Sequence, residues 1–116
     1  MEDVIATYLQ AWNETDRARR RELLAGVWAE HGTYQDPTAS LTGAEELVQH
    51  IGRFHEQRPG SRFELGSRVD RYADDLRFRW RLLDSEGVQA SEGTDFVRLT
   101  AEGRIASVTG FFGPLD

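Results

Sequence analysis

The hydrophobic pattern changes period near residue 61, and this change limits the fold more than any other feature of the chain. Before it, apolar residues recur at helical spacing. Val4, Ile5, Tyr8, Leu9 and Trp12 form one stripe. "NETD" (13–16) breaks that helix and can cap a second, predicted from about Asp16, with Leu23, Leu24, Val27 and Trp28 on one side. A third helix carries Leu47, Val48, Ile51 and Phe54. Thr42 and Glu45 stand at capping-box spacing at its start, and "RPG" (58–60) ends it because proline cannot continue a helix. Between the second and third helices, "HGTYQDP" reads as a short strand and "TASL" as a loop.

After residue 61 the period is two. Phe63, Leu65 and Val69 share a face. In "LRFRWRL" (76–82), Leu76, Phe78, Trp80 and Leu82 oppose Arg77, Arg79 and Arg81. "DSEG" (84–87) and "TAEG" (100–103) are turn signals ending in glycine, which predicts strands over 88–99 and 104–112. Helices followed by an antiparallel meander make an α+β fold, a curved sheet packed on three N-terminal helices. A sheet curled round helices leaves an enclosed apolar space, where a small ligand would sit.

A length of 116 residues predicts one domain, 1–116. The net charge of −6 argues against nucleic acid and anionic membrane surfaces as partners. The run Arg17, Arg19, Arg20 and Arg21 reads as the solvated face of a helix. Without cysteine there is no disulfide and no thiolate metal site. "MEDVIATYLQ" lacks the order of a signal peptide, and no apolar run has the length of a membrane span, so the expectation is a cytoplasmic protein.

Three polar residues invite a second reading. Asp36 precedes Pro37 in "TYQDP", which is a common turn pair. It also stands where a strand leaves the sheet, before the helix that should cover the cavity. Tyr8 lies within the apolar stripe of the first helix, as a core tyrosine or as a buried donor to a ligand oxygen. Asp95, in "EGTDFVRL", alternates with Gly93, Val97 and Leu99. That face is the more apolar one, so the carboxyl group is expected inward, where burial raises its pKa. His31, His50 and His55 lack the spacing of a metal site and read as surface or boundary residues. Trp12, Trp28 and Trp80 read as core.

These residues also carry a resemblance. The whole chain resembles the nuclear transport factor 2-like superfamily, and three segments resemble its ketosteroid isomerase branch. "TYLQAWNETD" (7–16) is similar to that branch's first helix, "TYQDP" to the segment with its catalytic aspartate, and "TDFVRLTAEGRIASVTGFFG" (94–113) to its last hairpin. The segment between Tyr8 and Asp36 is longer than the family's, and the loop after Pro37 is shorter. The resemblance implies a cone-shaped, cystatin-like fold and a homodimer. It implies Asp36 as general base, with Tyr8 and a protonated Asp95 as donors to a dienolate oxygen. It calls for no cofactor and no metal, and its ligand is a small apolar carbonyl compound. Face assignment offers Trp12, Phe54, Phe63, Phe78, Trp80 and Phe111 as lining. The same fold also serves non-catalytic ligand-binding or dimerisation domains, and cyclases, dehydratases or epoxide hydrolases of the SnoaL type.

Overall fold

The computed structural model describes residues 3–114. It contains helices α1 (Asp3–Asn13), α2 (Arg17–Ala25) and α3 (Ala44–Gln57). The strands are β1 (Trp28–Asp36), β2 (Ala39–Thr42), β3 (Arg62–Leu65), β4 (Asp70–Tyr72), β5 (Asp75–Leu83), β6 (Gln89–Leu99) and β7 (Ile105–Phe112). None of the helices is long and apolar enough to cross a membrane.

The helices follow their stripes. α1 buries Ile5, Tyr8, Ala11 and Trp12, and α3 buries Leu47, Val48 and Ile51. Asp16 caps α2, its carboxylate accepting the Arg19 N–H at 2.8 Å. Two boundaries differ from expectation. α2 stops at Ala25, so Trp28 is the first residue of β1 rather than the last of a helix. The start of α3 is displaced by one residue from the Thr42/Glu45 pattern. Gly43 takes the cap position at φ 87°, and Glu46, not Glu45, returns to the Thr42 N–H at 2.9 Å. Only glycine enters that left-handed backbone region freely, which fixes the cap there.

The arginine run is not wholly solvated either. Arg20 is 2% exposed and donates to the main-chain carbonyls of Glu14, Thr15 and Val48. It ties the α1–α2 turn to α3 by donating to carbonyls of both.

The sheet order is β2-β1-β7-β6-β5-β3, with β4 also pairing β5. Two features depart from a simple meander. "TASL" is not a loop: residues 39–42 form β2, which folds back on β1 from Asp36↔Ala39 to Thr33↔Thr42. β1 also pairs β7 in parallel, so the sheet is mixed. On the outer face, the β5 arginines meet acids from neighbouring strands. Arg77 pairs with Asp70, Arg79 with Glu92 and Arg81 with Glu64, at 3.1, 2.9 and 2.7 Å. On the inner face, Phe78, Leu76, Val97, Ile105 and Val108 pack with the helix stripes into one core. Each such side chain contributes about 1.5–3 kcal/mol on burial.

Candidate functional site

The row across the middle of the inner face runs from Asp36 at the end of β1, past Gly110 of β7, to Asp95 of β6 and Phe78 of β5. Gln35 pairs Thr109 in parallel, which sets Asp36 beside Gly110, and Gly110 in turn pairs Asp95. The glycine leaves little room for a side chain. A Cβ on Gly110 would stand 3.0 Å from Asp95 Oδ1 and 3.5 Å from the Asp36 Cβ. Two carboxylates can share the row because the residue between them has no side chain.

The row opens into a cavity of about 670 Å³ between the sheet and helices α1 and α3. Tyr8, Asp36 and Asp95 all line it, so three residues far apart in sequence meet on one space. Trp12, Phe54, Phe63 and Trp80 line it as well. The Trp12 ring stands edge-on to those of Phe54 and Phe63, with centroids 5.7 and 5.2 Å apart. Two other expected lining residues do not belong there. Phe78 is on the predicted face, but its ring is 1% exposed within the solid core, where the helices fill the space above the sheet. Phe111 pairs Thr94 on the outer face, is 54% exposed and packs edge-on against Phe96. Strand alternation sends its neighbour Phe112 to the cavity instead.

Asp36 does form a turn. Its Oδ1 accepts both the Thr38 N–H and the Thr38 hydroxyl at 2.7 Å, at the tip of the β1–β2 hairpin. Its Oδ2 accepts the Tyr34 hydroxyl at 2.5 Å. Tyr34 comes from the same strand two residues earlier, so both side chains point inward. Burial, foremost, holds the Tyr34 phenol above its ordinary range, and it remains a donor.

Asp95 is 6% exposed. Its Oδ1 accepts the Trp80 indole N–H at 3.0 Å. Gly93, directly opposite Trp80 in the register, makes this bond possible. A Cβ there would lie 2.2 Å from the indole, so the bare strand lets the ring lie flat and reach two residues along β6. Burial pushes the Asp95 carboxyl up to about 7. The Trp80 bond pulls against this rise and Asp36 adds to it. The second oxygen can then carry a proton near neutral pH and donate it in a hydrogen bond.

Tyr8 stacks on Trp28 with ring centroids 6.0 Å apart. Its hydroxyl is buried and finds no hydrogen-bond acceptor. Burial and the nearby Asp95 raise its pKa well above the usual phenol value, and the nearby Trp12 indole is the one group that pulls it down, so it also stays a donor. A buried O–H without an acceptor costs about 1–3 kcal/mol. Tyr8 is among the residues that line the cavity, and a ligand oxygen that reached the hydroxyl would supply the acceptor.

The sequence reading missed Tyr34, Thr38 and His50. Tyr34 was within reach, because period-two alternation places it with Asp36. His50 falls four residues before Phe54 on the cavity side of α3 and is half-buried. Burial is the main cause that lowers its pKa, so the ring is held neutral. Among the described residues no group of three or more histidine, cysteine, aspartate or glutamate side chains could hold a metal ion.

A curved mixed sheet wrapped on three helices, with a polar-tipped apolar cavity between them, defines the cystatin-like, or nuclear transport factor 2-like, class of α+β proteins. Residues 5–108 match the SnoaL-like domain, and the chain belongs to that family. A solved SnoaL-like family protein from Agrobacterium tumefaciens str. C58, provisionally named an isomerase, is 39% identical. The match covers 97% of this chain and 96% of that one, with a TM-score of 0.92. A protein of unknown function with a cystatin-like fold from Methylobium petroleophilum PM1 is 18% identical, with a TM-score of 0.78, and the match covers 99% and 76% of the two chains. A provisionally named polyketide cyclase from Sinorhizobium meliloti is 15% identical, with a TM-score of 0.75 over 95% and 94% of the chains. At such identities the last two speak for the fold alone. No curated protein matches the chain.

Proposed function

We propose that the protein is a cofactor-independent proton-transfer isomerase for a small apolar carbonyl compound. One observation carries this reading: Tyr8 with its hydroxyl lacking an acceptor, the buried Asp95 and Asp36 line the same cavity. Asp36 takes a proton from the carbon between a carbonyl and a carbon–carbon double bond. The electron pair of the broken C–H bond passes into the carbonyl, giving a dienolate. Its oxygen accepts hydrogen bonds from Tyr8 and from the protonated oxygen of Asp95, which stabilise charge that develops only as the proton leaves. Asp36 then returns the proton to the far end of the dienolate, and the double bond has moved into conjugation. The Tyr34 and Thr38 donors hold the carboxylate in place through both transfers. The isomerase name given to the 39% identical Agrobacterium protein agrees with this chemistry.

A second reading has its own support. Three donors already occupy Asp36, as they would in a non-catalytic ligand-binding domain where this residue serves only the hairpin. Asp36→Asn separates the two, because asparagine keeps the Oδ1 acceptor of the turn and loses the base. With a β,γ-unsaturated ketone, an isomerase should lose about 10²–10⁴-fold in turnover while the fold is kept, at a cost of about 1–3 kcal/mol for the Tyr34 hydroxyl that loses its Oδ2 acceptor. Turnover unchanged in the variant would refute the assignment. Tyr8→Phe removes the unpartnered hydroxyl, so it should stabilise the free protein by about 1 kcal/mol while weakening phenol-type enolate mimics about tenfold. Unchanged mimic affinity would remove Tyr8 from the oxyanion site.

A further inference from the structure

The arginines of this chain are almost all engaged. There are fourteen basic side chains, every one an arginine. Ten of them reach a carboxylate within ion-pair distance. Arg20 and Arg104 give their N–H groups to main-chain carbonyls. Among the described residues only Arg53 and Arg58 have neither kind of partner, and both line the cavity.

Their placement follows from α3. His50, Arg53, Phe54 and Gln57 fall at helical spacing on the side of α3 that faces the cavity, and Arg58 is its C-cap. Arg53 and Arg58 are exposed, whereas Tyr8 and Asp95 at the closed end are buried. Partners are plentiful in a chain with twenty acids, and Glu56 stands three residues after Arg53, yet neither arginine takes one. Among the described residues the only carboxylates on the cavity wall are those of Asp36 and Asp95, which the proposed reaction uses. The lip is therefore cationic and uncompensated, while the floor carries the proton-transfer groups.

We infer that the ligand carries a carboxylate at the end remote from its reacting carbonyl, held at the lip by Arg53 and Arg58. The substrate class is then an unsaturated keto acid rather than a wholly apolar ketone. The inference rests on the isomerase reading for the orientation of the ligand. A guanidinium fork matches a carboxylate in two parallel hydrogen bonds. A phosphate dianion suits the lip less well. The lip lies at the C-terminal end of α3, where the helix dipole is negative, and the chain's net charge repels concentrated anionic charge.

The test compares 4-hydroxyphenyl alkanoates of increasing chain length with their methyl esters, by calorimetric titration. The phenol mimics the dienolate and the acid probes the lip. For the chain length that spans the cavity, the acid should bind about tenfold tighter than its ester at low salt, and the preference should shrink in molar salt. The double variant Arg53→Gln, Arg58→Gln should abolish the preference and leave ester affinity unchanged. Equal affinity of acid and ester in the native protein, no binding of either, or a preference that survives in the double variant would overturn the inference. The Tyr8→Phe variant distinguishes the two levels of the argument. An arginine-dependent preference indifferent to Tyr8→Phe keeps the cationic lip and removes the oxyanion site. Tyr8-dependent binding without acid preference does the reverse.

Discussion

Asp95→Asn should make the protein more stable at neutral pH, by an amount that depends on pH in a defined way. Asparagine has the same shape and keeps an oxygen to accept the Trp80 N–H, so the perturbation removes only the ability to ionise. In the folded chain burial lifts the Asp95 carboxyl from an ordinary 3.8 to about 7. At ~1.4 kcal/mol for each pH unit of separation, ionised Asp95 costs the folded state about 4 kcal/mol. Below pH 3.8 the folded and unfolded chains both hold the proton, and the residue is neutral to stability. Between 3.8 and about 7 the unfolded chain has lost its proton while the folded chain retains it, so the native protein weakens as pH rises. Above that window the cost is complete and constant. Urea unfolding of the native protein and the variant, measured from about pH 5 to about pH 9, reads this directly, because titrations common to both cancel. The stability difference should grow in the variant's favour by ~1.4 kcal/mol per pH unit up to about pH 7 and then level off. A difference that stays flat across the range, or that shrinks as pH rises, would refute the buried, proton-holding state of residue 95.

Two further substitutions probe what holds the site. Gly93→Ala puts a Cβ 2.2 Å from the Trp80 ring and 2.3 Å from the Phe111 main-chain oxygen. Since the strand cannot yield, it should cost about 3 kcal/mol and shift tryptophan emission as the indole leaves Asp95; a native-like spectrum and melt would contradict this. Arg20→Met leaves the carbonyls of Glu14, Thr15 and Val48 without their donor. It should lower the melting midpoint by about 10 °C, from a loss of about 2–4 kcal/mol, and an unchanged melt would show that Arg20 is dispensable.

What could be read from the chain was whatever one element decides by itself. The stripes of α1 and α3 and the strict alternation of β5 specify their buried faces before any partner is known. They also placed Asp95 inward, since Gly93, Val97 and Leu99 leave that face little else to be. The features missed depend on partners. Residues 39–42 become a strand only because β1 offers an edge across a tight turn. Arg20 is buried only because three carbonyls from the α1–α2 turn and α3 converge on it, while its neighbours Arg17, Arg19 and Arg21 look the same in sequence and remain in solvent. Phe111 and Phe112 are adjacent aromatics, and deciding which one enters the cavity requires the pairing of Gly110 with Asp95. For the site, the three polar residues were visible, and Tyr34, which holds Asp36, could have been found from its place two residues earlier on the same strand face.

The parallel pairing of β1 with β7 has a consequence for how the molecule comes into being. β7 lies last along the chain among the described strands, yet it sits at the centre of the sheet, and Gly110 is the hinge on which the two aspartates become neighbours. A nascent chain emerging from the ribosome can wind its helices early and zip β5 to β6. Until the final strand arrives, though, Asp36 and Asp95 belong to separate halves with no wall between them. Such long-range closure makes for slow folding. It also means that a chain cut short near residue 104 would lose both acids from the cavity at once, although neither has been removed.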